Sequence, residues 1–590
     1  MLGNGRGRAV DMREAYVKDF HVASPYSPRR AAGRSPARSF PLSSPPMLRL
    51  AAAALALLAA PLAAQPASEL IEAGDAAYRA GDYAESGRLL AAGLDAGSRN
   101  AYIAFYAACA FALSDQPDAA FRYLDVAADL GFMSLEQLTT DSDLASLRDD
   151  ARWAGMMASY ERRAADAARL WSSPTLVTPF EEDLSLDEKI LGLSTLWSEA
   201  KFNFVNFDLV PQLDWDSLYV ATLPRVRATE STLEYYQVLR ETVSHLRDGH
   251  SGVDPPRQLT DRIFARPGLR TQLVEGRVWV TEIRDPSLAA SGLDIGQEVL
   301  QIDGVPVHDY ANTRVRPYQA ASTEQDLDAK TYGQSLLRGD ATAPVELTLR
   351  DASGRTRTVT IPRLSREQEQ GLAWALPAFA FELLPGNVAH VRLNTFGRPE
   401  AAEQFEAHFD QIAQADALVL DVRDNGGGDG AVGFRVLCAL TGDDEIPTAV
   451  WRTRLYRPLS RAREQGEGTD GDSEGGWPCR DARHFDGPVA LLTSARTYSA
   501  AEDFTVAFDL MDRGLIVGEP TGGSTGQPLS VRLPGGGWGR LTTRRDAYPD
   551  GTDYVGSGVF PDLVVGLTVD DVRAGRDSVL DAALEAVRGH

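Results

Sequence analysis

Apolar and polar positions follow three rhythms along the chain. From 66 to about 170, apolar residues recur at helical spacing in Ala-rich sequence. Here Arg88, Leu90, Asp95 and Gly97 return as Arg122, Leu124, Asp129 and Gly131, an offset of 34 residues. Such a repeat predicts stacked helix pairs, closed by a helix near 144–162. A Ser/Thr/Pro-containing linker at 171–183 precedes two more helical runs, 186–202 and 233–246, the second stopped by Gly249. Residues 260–365 change to strand alternation, as in 278–283, 345–350 and 358–361. From Val388 the third rhythm begins: a strand at 388–393, a helix at 400–414, then an unbroken apolar run at 417–422. A second buried strand is expected at 487–493. It leads through a short loop into a helix whose apolar face holds Ala500, Ala501, Phe504, Ala507, Phe508 and Met511. A third short strand at 515–517 and a Gly-rich loop through Gly526 follow, and then strands at 529–533 and 539–543. The Gly- and charge-rich insertion at 440–486 predicts a mobile surface loop or lid.

Composition changes this picture little. A chain of 590 residues exceeds one core, so about three or four domains are expected. The net charge of −24, with no basic stripe interleaved with aromatics, argues against nucleic acid. Residues 47–64 have the charged, apolar and small-residue zones of a secretory signal peptide, and 1–46 form a doubtful or disordered leader. Three cysteines show no metal spacing. Cys109 falls in an apolar helix, whereas a Cys438–Cys479 pair is left open by the sequence.

Candidate chemistry concentrates at Ser499. A serine on a tight strand-to-helix elbow presents its hydroxyl with helix N–H groups behind it, which suits a nucleophile. The run from Ser499 to Glu502 fits a capping box equally well, and capping alone is the ordinary reading of an isolated serine. A second feature is Asn425-Gly426-Gly427-Gly428 directly after a buried strand. Glycines there let backbone N–H groups face a cavity, as an oxyanion hole requires. The stretch lacks the Gly-Lys-Ser/Thr of a phosphate loop. A nucleophilic serine needs a base, and eight histidines are on offer. His250, on a turn after Asp248 and Gly249, is the one free to point into a cleft, although any single histidine is more often structural.

Taken jointly, the motifs resemble one family. The segment from Asp421 through Arg423 and Asn425 to Gly428, then 497–502, Gly518 to Gly523, and Gly558 to Asp562, look like the tail-specific (C-terminal processing) and tricorn-like serine peptidases. The resemblance spans about 185–570. Residues 291–307 resemble a PDZ signature, with Gln297 and Val299 departing from it, and the 34-residue repeat resembles tetratricopeptide pairs. What this implies is a multidomain α/β protein: a crotonase-like (ClpP/crotonase) α/β core at 366–575, a PDZ-like β module at 260–365, a helical cap at 184–258 and an N-terminal α-helical repeat domain at 65–170.

The resemblance also implies roles. Ser499 becomes the nucleophile, and Ala500 and Gly427 supply the oxyanion N–H groups. No lysine follows Thr521, so the Ser/Lys arrangement of the processing branch is ruled out at that position and His250 is the expected base. Asp553 is the expected acidic member, with Asp550 beside it, Val555 where a glutamate is expected, and Ser251 as a weaker relay. No cofactor and no metal is expected. The partners implied are peptide or unfolded-protein substrates presenting a free C-terminus, and a protein contact through the repeats. The expected address is periplasmic or secreted. Three rivals are carried: an inactive peptide-binding protein on the same scaffold, a crotonase-type acyl-CoA enzyme, and an assembly scaffold.

Overall fold

The computed structural model describes residues 65–588, apart from 172–173, 371, 373–375, 473–474 and 480–482. The leader and signal segment expected at 1–64 lie outside the described residues. Among those described, no helix is long and apolar enough to cross a membrane. The chain divides into two compact units, one of helices before Pro174 and a larger one after it.

In the first unit, helices α1 (Ala67–Arg79), α2 (Tyr83–Asp95), α3 (Ala101–Leu113) and α4 (Pro117–Asp129) form two pairs with the offset read from the sequence. The tight turns inside the pairs rest on left-handed residues at matching positions, Gly81 and Asp115. Helix α3 is apolar all round and buried by its neighbours, with Cys109 in its core. The closing helix differs from expectation. A 3₁₀ turn occupies Ser142–Leu147 and a new helix starts at Trp153. The interruption is local capping: Asp141 accepts from the Asp143 N–H, and Asp150 accepts from the Arg152 N–H.

The second unit is built on a six-stranded sheet. Its strands are β1 (Phe379–Leu384), β2 (Val388–Leu393), β3 (Ala417–Asp421), β4 (Val489–Thr493), β5 (Leu515–Gly518) and β6 (Leu563–Val564), in spatial order β6-β5-β4-β3-β2-β1. Strands β2 to β6 run parallel and β1 antiparallel. Every residue of β3 and β4 is buried, the continuous apolar run that a parallel sheet covered on both faces demands. Helices α5 (Glu400–Ile412), α6 (Gly430–Cys438) and α7 (Ala500–Leu510) bury their apolar stripes on one face, including Phe405, Val436 and Phe504. Helix α8 (Ser578–Arg588) covers the other with Val579, Ala583 and Val587. Register matters for function. Asp421 at the end of β3 pairs with Leu492 near the end of β4. The loops leaving these two strands therefore emerge side by side, at the carboxyl edge where parallel sheets build sites.

Residues 260–365 hold an antiparallel sheet of Leu269–Val274, Arg277–Ile283, Glu298–Ile302, Val345–Arg350 and Thr356–Ile361, with its own core. Helices Leu186–Asn203, Trp215–Arg227 and Thr232–Ser244 form the cap. The cap is not a separate core: Leu196, Phe204 and Leu239 pack with Val531, Leu533 and Leu541. Strand Gly252–Asp254 also pairs with Trp538–Thr542. The insertion carries paired structure instead of a bare loop, since Val450–Leu455 lies antiparallel to Arg545–Ala547. Cys438 and Cys479 are joined, closing a separation of 41 residues. Replacing both by serine is expected to lower stability by about 2–4 kcal/mol, because the unfolded chain regains loop entropy; urea unfolding with and without reductant measures it.

Candidate active site

Residues 494–498 connect β4 to α7 and are stitched to the loop after β3. Ser494 Oγ donates to the Arg423 carbonyl at 2.7 Å and Thr497 Oγ1 to the Val422 carbonyl at 2.9 Å. The Tyr498 N–H reaches the Asn425 carbonyl at 3.0 Å. Ser499 then adopts φ 56° and ψ −129°. This left-side backbone strains a residue with a Cβ by about 1–3 kcal/mol and persists only where the surroundings hold it. An ordinary cap has β-region angles, so capping does not account for the conformation. The elbow lifts the side chain off the helix start, where the Ala500 N–H is among the four a helix leaves without an intrahelical acceptor. Glu502 completes the support, although its own burial pushes its carboxyl up to about 8. It accepts from Thr521 Oγ1 at 2.6 Å, Gly523 N at 2.7 Å, Ser524 N at 2.9 Å and Ser499 N at 3.3 Å. Thus Glu502 pins the Gly-rich loop against the elbow.

The loop after β3 is tied from both sides. Arg423 grips Asp421 and Asp577 with both arms at 2.7–3.0 Å. Burial opposes the Asp421 carboxylate, yet His390 and Arg423 beside it hold its pKa well below the usual range. Arg423 is therefore a strut between the loop and α8. Asn425 is fully buried, donates to the Leu393 carbonyl at 2.9 Å and accepts the Gly427 N–H at 2.9 Å. A Cβ on Gly427 would stand 2.7 Å from the Ser499 Cβ, so only glycine lets this loop approach the elbow. Gly427 is thus beside Ser499, with its N–H engaged by Asn425.

His250 sits on the turn that ends the cap. Asp248 fixes that turn through its carboxylate, accepting from His250 N at 3.1 Å, Ser251 N at 2.8 Å and Asn206 Nδ2 at 2.9 Å. The imidazole is buried and stacks on the Tyr498 ring, centroids 5.1 Å apart. Its Nδ1 lies 2.9 Å from Ser524 Oγ. Ser524 also takes the Ser499 N–H on its carbonyl at 3.2 Å. Serine elbow and histidine therefore meet on one residue. Burial pushes the His250 pKa down to about 4, against Asp248, with Arg540 and Lys330 adding to the fall.

Beyond the ring lies a charge pair that the sequence reading did not single out. The Tyr498 hydroxyl borders Ser524 and donates to Asp326 Oδ2 at 3.3 Å. Lys330 Nζ donates to that hydroxyl at 3.1 Å, to Asp326 at 2.9 Å and to the Ala320 carbonyl at 2.8 Å. A Cβ on Gly249 would fall 1.5 Å from the same hydroxyl, which explains the glycine before His250. The segment around Asp326 is anchored in turn: Thr323 Oγ1 donates to Gly522 O, and Gln325 Nε2 to Thr521 O and Ser557 O.

Asp553 is placed elsewhere. Its Oδ2 is held by Arg452 at 3.0 Å and Arg545 at 2.6 Å, and among the described residues no hydrogen bond or ion pair joins it to the His250 ring. Two guanidiniums outcompete one imidazole for the carboxylate. Asp550 is exposed and caps its own turn through the Thr552 N–H. Val555 is buried, and Ser251 faces Thr542 on the neighbouring strand. Of the residues expected at the site, Ser499, Ala500, Gly427 and His250 are brought together and Asp553 is not.

A strained elbow serine beside a buried neutral histidine, at the carboxyl edge of a parallel sheet, is the layout of a serine hydrolase. Residues 387–565 match the family model of peptidase family S41 and carry a serine-type peptidase domain. A protein described as a tricorn protease homologue from Streptomyces coelicolor is 25% identical over 397 residues, 63% of this chain and 30% of that protein. The chloroplastic C-terminal processing peptidase of Tetradesmus obliquus is 29% identical over 243 residues, 39% of this chain and 47% of its own length. The carboxyl-terminal-processing protease of Picosynechococcus sp. is 26% identical over 281 residues, 47% and 57% respectively. The chain thus spans between 30% and 57% of these relatives. In fold, mature CPAF complexed with lactacystin is similar, with a TM-score of 0.53, 16% identity, and coverage of 69% of this chain and 99% of that one.

Proposed function

We propose that the chain cleaves peptide bonds by acyl transfer, with Ser499 as nucleophile and His250 as base. The observation that carries this reading is the meeting of the Ser499 N–H and the His250 ring on Ser524. With Nδ1–H donated to Ser524, Nε2 keeps the lone pair. It removes the Ser499 proton as Oγ attacks the carbonyl carbon, and the oxyanion is met by the Ala500 N–H. Gly427 supplies the second donor as its N–H turns from Asn425. The protonated ring then gives its proton to the leaving amine, and water repeats the sequence on the acyl-enzyme. Lys330 is a poor rival base because its three protons are committed to Asp326, Tyr498 and Ala320. In place of Asp553, the His250 ring is oriented by hydroxyls: Ser524, then Tyr498, then the Asp326–Lys330 pair.

The finer reading follows from the resemblance. The parallel core is crotonase-like, the sheet at 260–365 is PDZ-like and receives free C-termini by strand addition, and the helix pairs contact a protein partner as tetratricopeptide repeats do. The substrates are exported peptides or unfolded proteins in the periplasm or outside the cell. The Cys438–Cys479 bond supports this address, since such bonds persist in oxidising compartments. Cleavage of matched peptides with a free or an amidated C-terminus tests the proposal. Wild type should cleave the free form faster and Ser499→Ala neither; equal cleavage by the variant removes the nucleophile assignment.

The histidine makes a pH prediction. Its folded pKa is about 4, below its ordinary value, so the neutral base is present across neutral pH. The acid limb of kcat/KM should descend toward pH 4, and a limb near about 6.5, the unperturbed value, contradicts burial of the ring. The sign for stability is the same. The folded state binds the proton less readily, so this contribution is present above about pH 6.5 and is lost as pH falls toward 4.

A further inference from the structure

Away from the site, between the cap helix Thr232–Ser244 and the segment 310–339, lies a cavity of about 150 Å³ lined by Arg240, Arg262, Arg314 and Arg338. No acidic residue lines it, in a chain whose net charge is −24. The Phe264 ring lies between two of these cations, 5.0 Å from the Arg240 guanidinium carbon and 5.4 Å from that of Arg338. Arg338 Nε is buried without a hydrogen-bond partner. Among the described residues, Arg240, Arg314 and Arg338 are paired with no carboxylate. Of the nearby acids, Glu369 is engaged by Arg266, and Asp340 by the Thr342 N–H and hydroxyl, 4.0 Å from Arg262, which also pairs with Glu182 at 3.4 Å; Asp254 acts on Arg240 through its charge without an ion pair.

Bringing like charges together in a wall of aromatic rings is unfavourable unless something of opposite sign joins them. Burial lowers the pKa of both Arg240 and Arg338; Tyr318 and Asp254 partly offset the fall at Arg240, whereas Arg266 and Arg240 deepen it at Arg338, which drops to about 10 despite Glu369. Structural arginines elsewhere in the chain look different. Arg423 has its Nε and both terminal nitrogens on carboxylates, and Arg545 has both terminal nitrogens on carboxylates. Guanidinium forks converging on a small cavity match the planar faces and multiple acceptors of a tetrahedral oxoanion.

We propose that this cavity binds a phosphoryl group, as inorganic phosphate or a small phosphate ester. Two parts of the chain would close on it. Arg240 comes from the helix that runs toward His250, whereas Arg314 and Arg338 flank the segment bearing Asp326. An occupied cavity therefore ties the element holding the histidine to the element orienting it.

Titration of the full chain with sodium phosphate against sodium chloride at equal ionic strength, followed by calorimetry and thermal unfolding, tests the proposal. The expected result is one phosphate per chain and a melting temperature that rises with phosphate alone. Glycerol 1-phosphate in a parallel titration distinguishes the sources: binding assigns the site to an ester, and its failure beside phosphate binding assigns it to the free ion. Arg240→Gln with Arg338→Gln should weaken phosphate binding at least about tenfold and raise the melting temperature without anion, because the repulsion is gone. Arg314→Gln, at the exposed mouth, should weaken binding without loss of folding, while Arg355→Gln, on a distant turn, should leave it unchanged. Equal shifts in phosphate and chloride, or unchanged phosphate binding in both cavity variants, would overturn the proposal.

Discussion

Ser499→Ala and His250→Ala are each expected to reduce peptide cleavage by at least about ten-thousand-fold, and the double variant to fall little further, because the two act as a unit. The fold should survive both. Ser499 is only partly buried, and alanine at this position keeps the Cβ that packs near Gly427. Removing the imidazole leaves the Tyr498 ring without its stacking partner and Ser524 Oγ without its acceptor or donor. A modest loss of stability, on the order of 1–2 kcal/mol, is therefore expected for His250→Ala and none of consequence for Ser499→Ala. Cleavage measured as kcat/KM, beside a melting curve for each variant, separates loss of chemistry from loss of fold.

The second large effect concerns what orients the base. Ser524→Ala should lower kcat about a hundredfold or more with little change in KM, since the ring loses the one hydroxyl at its Nδ1. Tyr498→Phe and Asp326→Asn, one and two steps further out, should have smaller effects on kcat, about tenfold each, and should shift the acid limb of the pH profile. A merely structural role would not move that limb. Asp553→Asn should leave kcat within about threefold. It should instead lower stability, because Arg452 and Arg545 would lose their shared carboxylate. A large kcat loss in Asp553→Asn together with full activity in Ser524→Ala would reverse the assignment.

Periodicity made most elements readable. Strands β2 to β5 and helices α5 and α7 lie where apolar runs and helical spacing put them, within a residue or two. The elbow, the triple glycine and the turn bearing His250 were visible because each has a local chemical signature. The orienting group was not. Asp326 lies far along the chain from both His250 and Ser499, in a segment of short helical turns without a motif. It reaches Tyr498 only because Thr323 and Gln325 dock on the Gly-rich loop. Ser524 stands in the Gly-rich loop with no motif of its own, and its contact with His250 depends on Glu502 fixing that loop. The arginine cavity was hidden for the same reason, since its cations come from separated stretches that only folding gathers.

The central claim is that Ser499 is a nucleophile activated by His250. Reaction of the folded chain with a fluorophosphonate, followed by peptide mapping, tests it directly. One adduct per chain is expected, on Ser499, lost when the chain is unfolded before reaction and slowed at least about a thousandfold in His250→Ala. An unlabelled Ser499, or a label that forms at the same rate without His250, would contradict it.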